Sequence, residues 1–548
     1  MAQGTPVGFQ QIFGPSYGTS DPVPAPLINL PDSYETVTIP VEVFAGRDVR
    51  YLSLIGQNNN ATDVTSITAG RDVIYPALTN TVFTQVFGIA VGGAGNLVVQ
   101  SGRNVDLGSS TGIQTFGNFL NKALPAEGAG ITIEAGLGSP PVLPNYANFI
   151  AQYVDPATAA ANPFAEPLQL FDADGKPIGS GGDAYAYLQT LSGPAQQILL
   201  NRVFFGLMRD SGREHTAAAA GGNYELGTSS IDTAGVLNSA FSNYQRAFAV
   251  TGTFFAGTTG TGSFLGGLST VRTRGGGDIT VLAPRGEIQV GLTAPPSDFS
   301  YALPTYPLWA LNFGIVTEKG GNINLYAASD VTVNQSRVFT LEGGDLTVVS
   351  LNGNIDAGKG AKTVQAIQPP SIVYDVYGNA TIEPYAASTG SGLAALHSIA
   401  GVPLGNADLI AMNGFVDAGD AGIRVSGNLN IAAVAVLNAG NIQVGGRATG
   451  VPTIDVPNVA GLTSANNTAG AAAKTDTSPA STGKSDQPSI IIVEFLGFGG
   501  GDTDADSDQK RSKPQDKRTY NTNSAVQYVG AGTPTEEQKQ RLIEGGAL

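Results

Sequence analysis

Several stretches of this chain have residue types and spacings that can do chemistry. Gly14-Pro15-Ser16-Tyr17-Gly18 has the G-x-S-x-G spacing of a nucleophile elbow, in which a sharp strand-to-helix turn exposes a serine Oγ. Here the motif sits in a proline-rich arm with no strand before it, so the serine lacks its platform. Gly483-Lys484-Ser485 has the ending of a phosphate-binding loop, but that pattern requires glycine at position 478, where serine stands. Asp502, Asp504, Asp506 and Asp508 alternate like the ligands of a calcium loop, yet the sixth and twelfth positions hold Ser507 and Lys513 instead of glycine and glutamate. Asp172-Ala-Asp174-Gly175 reads as a turn. Asp278, Asp330, Asp345 and Asp356 would be the carboxylates of a polysaccharide-cleaving groove, but they recur at turns flanking a repeat, where a short acidic side chain bonds the backbone. No catalytic residue, cofactor or metal ligand is therefore assigned.

Two other groups fit partner binding. Phe299, Tyr301, Tyr306 and Trp309 crowd a proline-rich loop over 292–313, either packed on the protein or presented to a sugar or partner. Ile490, Ile491, Ile492, Val493 and Phe495 lie in a strongly β-prone run that follows a flexible, Ala/Thr/Ser/Gly-rich linker. That run either returns to the body as an edge strand or adds to another protein's sheet.

The elements that must position these groups are legible in the composition. The 548 residues include 73 glycines, nearly twice the usual share of ~7%. Charged residues are 13%, about half the usual ~25%. The absence of cysteine excludes disulfides and thiolate chemistry, and His215 and His397 are too few for a multi-histidine metal site. A net charge of -16 gives no electrostatic footprint for nucleic acid. No apolar run is long enough for a membrane-spanning helix, and the first residues lack the basic and apolar segments of a secretory signal.

A short unit recurs: glycine, then Asn, Asp or Glu, then an alternating apolar strand. It occurs at Gly95-Asn96-Leu97, Gly277-Asp278-Ile279, Gly286-Glu287-Ile288, Gly321-Asn322-Ile323, Gly344-Asp345-Leu346, Gly427-Asn428-Leu429 and Gly440-Asn441-Ile442. A longer variant is Gly-Arg-Asp/Asn-Val, beginning at Gly46, Gly70 and Gly102. Spacings of 9 residues (Gly344 to Gly353) and 23 residues (Gly321 to Gly344) predict a coil with two or three strands per turn. Alternation sends Ile323 and Leu325 to one side and Asn324 to the other. Glycine before each strand permits the positive φ of a sharp corner. One unit buries almost nothing alone, but stacked parallel units share a continuous apolar interior. The pattern favours an all-β fold, a right-handed parallel β-helix (solenoid), over an antiparallel sandwich, because hairpin signals are missing and the glycine precedes the strand in register.

Residues 141–260 interrupt the pattern with helical periodicity. One helix is predicted from Pro194 to Arg209, with Gly212 beyond its end, and another carries Leu237, Ala240, Phe241, Tyr244 and Phe248, ended by Gly252. Their apolar faces are expected on the flank of the solenoid or over an open end. The glycines of 252–277 read as a flexible stretch. The expected organisation is a proline-rich arm (1–40), a first solenoid part (41–140), a helical insertion (141–260) and a second solenoid part with loop insertions (261–461). A flexible linker (462–488) and a C-terminal strand, charged patch and short helix (489–548) follow.

Several segments resemble the C-terminal region of exoproteins of the filamentous haemagglutinin family, adhesins of Gram-negative bacteria exported by two-partner secretion. The residues that carry the resemblance are AGRDV at 45–49 and 69–73, GGDLTVVSLNGNIDAGKGAKT at 343–363, the long block at 408–446, and PSIIIVEFLGFGGG at 488–501. The resemblance implies a secreted or cell-surface, outer-membrane-associated, non-enzymatic module. Its implied partners are an outer-membrane secretion pore and a receptor or glycan on a host or neighbouring cell. The family's N-terminal signal and secretion domain are not visible here, so the chain is expected to be the distal part of a split or truncated exoprotein. Two other functions fit the same fold: a polysaccharide-acting β-helix enzyme, and a structural subunit of a surface fibril or layer.

Overall fold

The structure is a computed structural model that describes residues 35–76, 87–119, 121–165, 169–171, 177–219, 244–293, 313–359, 371–374, 380–383, 390–397 and 401–452. The repeating units stack into a parallel β-helix whose coils visit three faces in turn. Face A is a ladder of ten strands from Glu35–Thr36 to Ile442–Val444. Face B begins with Glu42–Ala45 and passes through Val64–Ala69, Asn96–Ser101, Gly130–Glu134, Ile279–Ala283, Ile323–Ala327 and Leu346–Ser350 to Ala407–Asp417, Leu429–Leu437 and Ala448–Thr449. Face C consists of two-residue strands such as Val49–Arg50, Val331–Thr332 and Ile355–Asp356, continued by the far ends of Ala407–Asp417 and Leu429–Leu437. Those two long strands run around the corner, so faces B and C join into one sheet.

The period read in the sequence appears as strand register. Ile323 pairs with Leu346 and Leu325 with Val348, 23 residues on. The inward column of face B is Val99, Ile133, Val281, Leu325, Val348, Leu409 and Ile431, every one buried in the main apolar cluster. Each new coil adds its inward Val, Ile and Leu side chains to this column, which is why a unit too small to fold alone is stable in the stack.

The helical segment leaves and returns within one coil. Gly130–Glu134 pairs with Asn96–Ser101 on one side and Ile279–Ala283 on the other, while Phe264–Leu265 sits between Val105–Asp106 and Ile288–Gln289. Between Glu134 and Phe264 the described helices are α1 (Tyr146–Phe149, which continues as a wider turn over Ile150–Val154), α2 (Gly182–Thr190), α3 (Gly193–Ala219) and α4 (Gln245–Phe254). Two antiparallel strands, Gln169–Phe171 and Pro177–Ser180, precede α2.

Several expectations are corrected here. The long helix does not stop before Gly212 but runs through it to Ala219, because the missing side chain lets the helix approach the solenoid: a Cβ at Gly212 would lie 2.6 Å from Ile410 Cδ1. Gly252 likewise lies inside α4, whose buried face is Ala247, Val250 and Phe254, while Phe248 is exposed. Leu237, Ala240 and Phe241 lie outside the described residues. The stretch 252–277 holds the end of α4 and the strands Phe264–Leu265 and Thr270–Thr273, with Gly262 packed on the Arg103 backbone and Gly266 on Val290. Within the second solenoid part, residues 364–410 contain the coil strand Gly392–Ala395 and the start of Ala407–Asp417.

The glycine of the repeat has a second reason besides corner geometry. Gly277 and Gly344 do take positive φ, but Gly321 does not. A Cβ at Gly321 would lie 1.9 Å from the Gly277 carbonyl oxygen, and one at Gly344 would lie 2.3 Å from that of Gly321. The corners are stacked so closely that no side chain fits between them. The seven copies are also not equivalent: Gly286-Glu287 precedes a face C strand and Gly440-Asn441 a face A strand, whereas the other five precede face B.

Candidate functional site

The side chains with chemical potential fall into three places in the fold. The first is the corner that opens face B. Asn322 donates its backbone N–H and its Nδ2 to Asp278 Oδ1 at 2.9 and 3.2 Å. The Asp345 N–H donates to Asn322 Oδ1 at 2.8 Å, and Asn406 donates N–H and Nδ2 to Asp345 Oδ1 at 2.9 and 3.0 Å. The ladder continues from Asn428 to Asn406 and from Arg447 to Asn428. Each side chain takes the free backbone donor of the next coil's corner, the role the sequence predicts for short acidic and amide residues at turns. Asp330 accepts from the Asn354 N–H at 2.7 Å and Asp356 from the Gly358 N–H at 2.8 Å. The four carboxylates considered for a catalytic groove are thus each bound to a corner backbone. Among the described residues no three His, Asp or Glu side chains converge to hold a metal. His215 stacks on the Tyr244 ring at 4.1 Å.

The Gly-Arg-Asp/Asn-Val motif carries a second ladder that its spacing did not disclose. Arg71 bridges back one coil to Asp48, with Nε–Oδ1 at 2.7 Å and Nη2–Oδ2 at 2.5 Å, and Arg103 bridges back to Asp72. Burial alone would raise the Asp48 carboxyl, but Arg71 and Arg50 hold it below the ordinary carboxylate range. The sequence signal was the repeated Arg-Asp pair itself, since equivalent residues of a parallel coil stack about 4.8 Å apart.

The second place is the outer side of face A. Arg272 pairs with Glu318, and Arg274 lies 3.6 Å from the same carboxylate and above the Phe116 and Phe119 rings at 5.6 and 5.3 Å. Arg337 lies over Phe339 at 5.5 Å; burial and the nearby Arg272 bring it down to about 10, so it stays cationic at neutral pH.

The third place is the contact of the helical insertion with the outer side of face B. Alternation places two outward rows there. One is apolar: Leu282, Tyr326, Val349, Ile410 and Ala432. The other is polar: Thr280, Asn324, Thr347, Asp408 and Asn430. Both rows are buried. The apolar row joins Phe204, Met208, Val250 and Phe254 in a single cluster, in which the Phe204 ring stands edge-on to Tyr326 at 5.3 Å. Arg202 reaches Asp278 at 3.0 Å, and Arg213 grips Asp408 with two bonds of 3.0 and 2.8 Å. Near the start of the contact, Glu134 accepts from Gln100 Nε2 at 2.9 Å, and the Tyr146 hydroxyl lies 3.3 Å from Glu134 and 3.2 Å from Asn201. Burial pushes the Glu134 carboxyl above its ordinary range in spite of these bonds. The insertion therefore lies on the flank, and Asn324 faces outward from its coil into a helix, not into solvent.

Within this frame, the stretch from the Gly343-Gly344 corner onward carries the last coils and the later part of the corner ladder. Residues 343–453 match the family of filamentous haemagglutinin outer membrane proteins. The matched part is about a fifth of the chain and bears out the resemblance read from the sequence there. This haemagglutinin-family segment includes Asp345, Asn406 and Asn428 of the corner ladder and Asp408, Ile410 and Ala432 of the surface under the insertion. No protein of curated function and no solved structure matches the chain.

The residues singled out in the sequence for partner binding, Phe299, Tyr301, Tyr306, Trp309, Ile490, Ile491, Ile492, Val493 and Phe495, lie outside the described residues. Phe313, at the end of the same aromatic loop, is buried and accepts a hydrogen bond from Ser336 on its carbonyl. No helix of the described residues is long and apolar enough to cross a membrane.

Proposed function

We propose that this chain is a non-enzymatic, secreted or cell-surface adhesin module of a Gram-negative bacterium, the C-terminal part of a haemagglutinin-like exoprotein. The observation that supports it is the coincidence of a haemagglutinin-family segment with a parallel β-helix whose Asp and Asn side chains are committed to coil-to-coil corner bonds. Such a body is a scaffold, and attachment falls to the insertions and tail. The aromatic loop bearing Phe299, Tyr301, Tyr306 and Trp309 presents stacking surface for a glycan or protein receptor. The β-prone Ile490–Phe495 run is the segment we propose for addition to a partner's sheet edge. The outer-membrane pore of two-partner secretion is the export partner that the family implies.

The test is binding of the fluorescently labelled full-length chain to intact cells, compared with a variant carrying Tyr306→Ala and Trp309→Ala. Saturable binding by the first and its loss in the second support the reading. Release of oligosaccharides from a panel of neutral and acidic polysaccharides would overturn it in favour of an enzyme.

A further inference from the structure

We infer that the helical insertion is a strap over face B that opens as a unit while the coils beneath it stay folded. The geometry starts with pitch. From Asn201, beside Glu134, to Thr216, whose hydroxyl lies 3.5 Å from the Ile431 carbonyl, α3 advances about 22 Å at 1.5 Å per residue. The strands it passes, from Gly130–Glu134 to Leu429–Leu437, are five steps apart, about 24 Å at 4.8 Å each. The helix therefore runs along the solenoid axis, and its i, i+3, i+4 stripe meets successive coils.

The two sides of the wall beneath it are built differently. The inner side is a continuous apolar column. The outer side pairs an apolar row with the polar row Thr280, Asn324, Thr347, Asp408 and Asn430. In that polar row Arg213 pairs Asp408, but Asn324 Oδ1, Thr347 Oγ1 and both side-chain polar atoms of Asn430 are buried and make no hydrogen bond among the described residues. Closing the strap strips water from these groups and returns no partner, an unfavourable contribution that the apolar row and the Arg213–Asp408 pair must outweigh. The coils make no such sacrifice along their inner side. Opening the strap also restores solvent to the polar row, whereas opening a coil exposes the apolar side chains of the main cluster. Covalent connection sets the same boundary: the insertion departs from and returns to a single coil, but α3 lies across the coils that follow it in the chain. The strap thus docks on strands with which it shares no backbone ladder.

Hydrogen exchange read by mass spectrometry on the whole chain tests this. Peptides from 193–219 are expected to exchange at least about 100-fold faster than those covering Ile323–Ala327 and Leu346–Ser350, as independent opening units do. Thr347→Val, which removes one unpartnered hydroxyl without changing shape, is expected to slow exchange of 193–219 by about tenfold. Arg213→Ala is expected to speed it by a similar factor, and neither substitution should alter the strand peptides. Helix exchange that keeps pace with the strands, or that ignores both substitutions, overturns the inference.

Discussion

Arg246 on α4 and Glu214 on α3 form an ion pair at 2.6 Å with both side chains essentially without solvent exposure. It is a fully buried pair of opposite charges, and it sits in the helical insertion, not in the β-helix. The Arg246 guanidinium also donates from Nη1 to the Phe164 carbonyl at 3.2 Å, so one arginine ties three segments together. Removing one partner of such a pair leaves an uncompensated charge in the interior, at a cost of about 3–5 kcal/mol. Arg246→Met should therefore lower the unfolding free energy of the insertion by that amount, and Arg246→Met with Glu214→Met should recover most of it. The insertion concentrates the ring contacts of Phe149, Tyr153, Phe204 and Phe254. Near-ultraviolet circular dichroism during urea unfolding is thus the measurement that reads it. A double variant as unstable as the single one would show that the pair's charge is not what matters.

Two glycines of the same repeat separate backbone packing from corner geometry. A Cβ at Gly321 would lie 1.9 Å from the Gly277 carbonyl oxygen, while one at Gly46 meets nothing within 4 Å and needs no unusual φ. Gly321→Ala should destabilise by about 3 kcal/mol or more, since the atoms it meets are backbone that cannot rotate away. Gly46→Ala should be neutral or stabilise by up to about 1 kcal/mol through the unfolded chain. Chemical unfolding of the two variants side by side checks this, and equal losses would refute the packing account.

The inward half of this fold was legible because its signal is local. Alternation alone places Ile323 and Leu325 inside, and the interval from Gly321 to Gly344 gives the stacking register directly. The outward half was not. Asn324 and Asn430 look like surface residues, because alternation says which side of a strand a residue takes but not what lies against it. Arg213 finds Asp408 across 195 residues of sequence, and nothing in the spacing of either announces the other. Gly212 was read as a helix end for a similar reason: a glycine that admits a neighbour and a glycine that stops a helix look alike until the neighbour is known. The corner role of Asp278, Asp330 and Asp345 was legible because it needs only the next coil, and that of Asp356 because it needs only its own turn.

The corner ladder should be sensitive at its middle. Asn406 donates to Asp345 and accepts from the Asn428 N–H at 2.9 Å, so Asn406→Ala breaks the ladder in both directions. The expected loss is about 1–3 kcal/mol, the range for leaving partly buried partners unsatisfied. Asp345→Asn keeps an acceptor oxygen at the same place and should cost less than Asp345→Ala. Thermal unfolding followed in the far ultraviolet would rank the three, and an Asp345→Asn variant as unstable as Asp345→Ala would show that the acceptor is not what the corner needs.

Glu134 gives the contact between insertion and solenoid a pH dependence with a definite sign. Burial raises its carboxyl above the ordinary value of 4.5 in the folded protein, against the hydrogen bonds from Gln100, Tyr146 and Asn201. The folded state therefore holds this proton more tightly than the unfolded chain does. The stability it contributes is complete below the unfolded value and is lost as pH rises through the folded one. Tyr146 opposes this trend without reversing it: burial and the neighbouring carboxylate drive its own ionisation far up, so its hydroxyl stays a donor across the whole range, and the bond it donates favours the ionised carboxylate. The wild type should thus lose stability relative to Glu134→Gln as pH increases from about 4.5 toward neutrality. The two should then run parallel at higher pH, once the carboxyl is ionised in both states. The check is the difference in urea midpoint between the two proteins over that range. A difference that stays flat, or that grows in favour of the wild type as pH rises, would mean that Glu134 does not hold its proton in the folded protein.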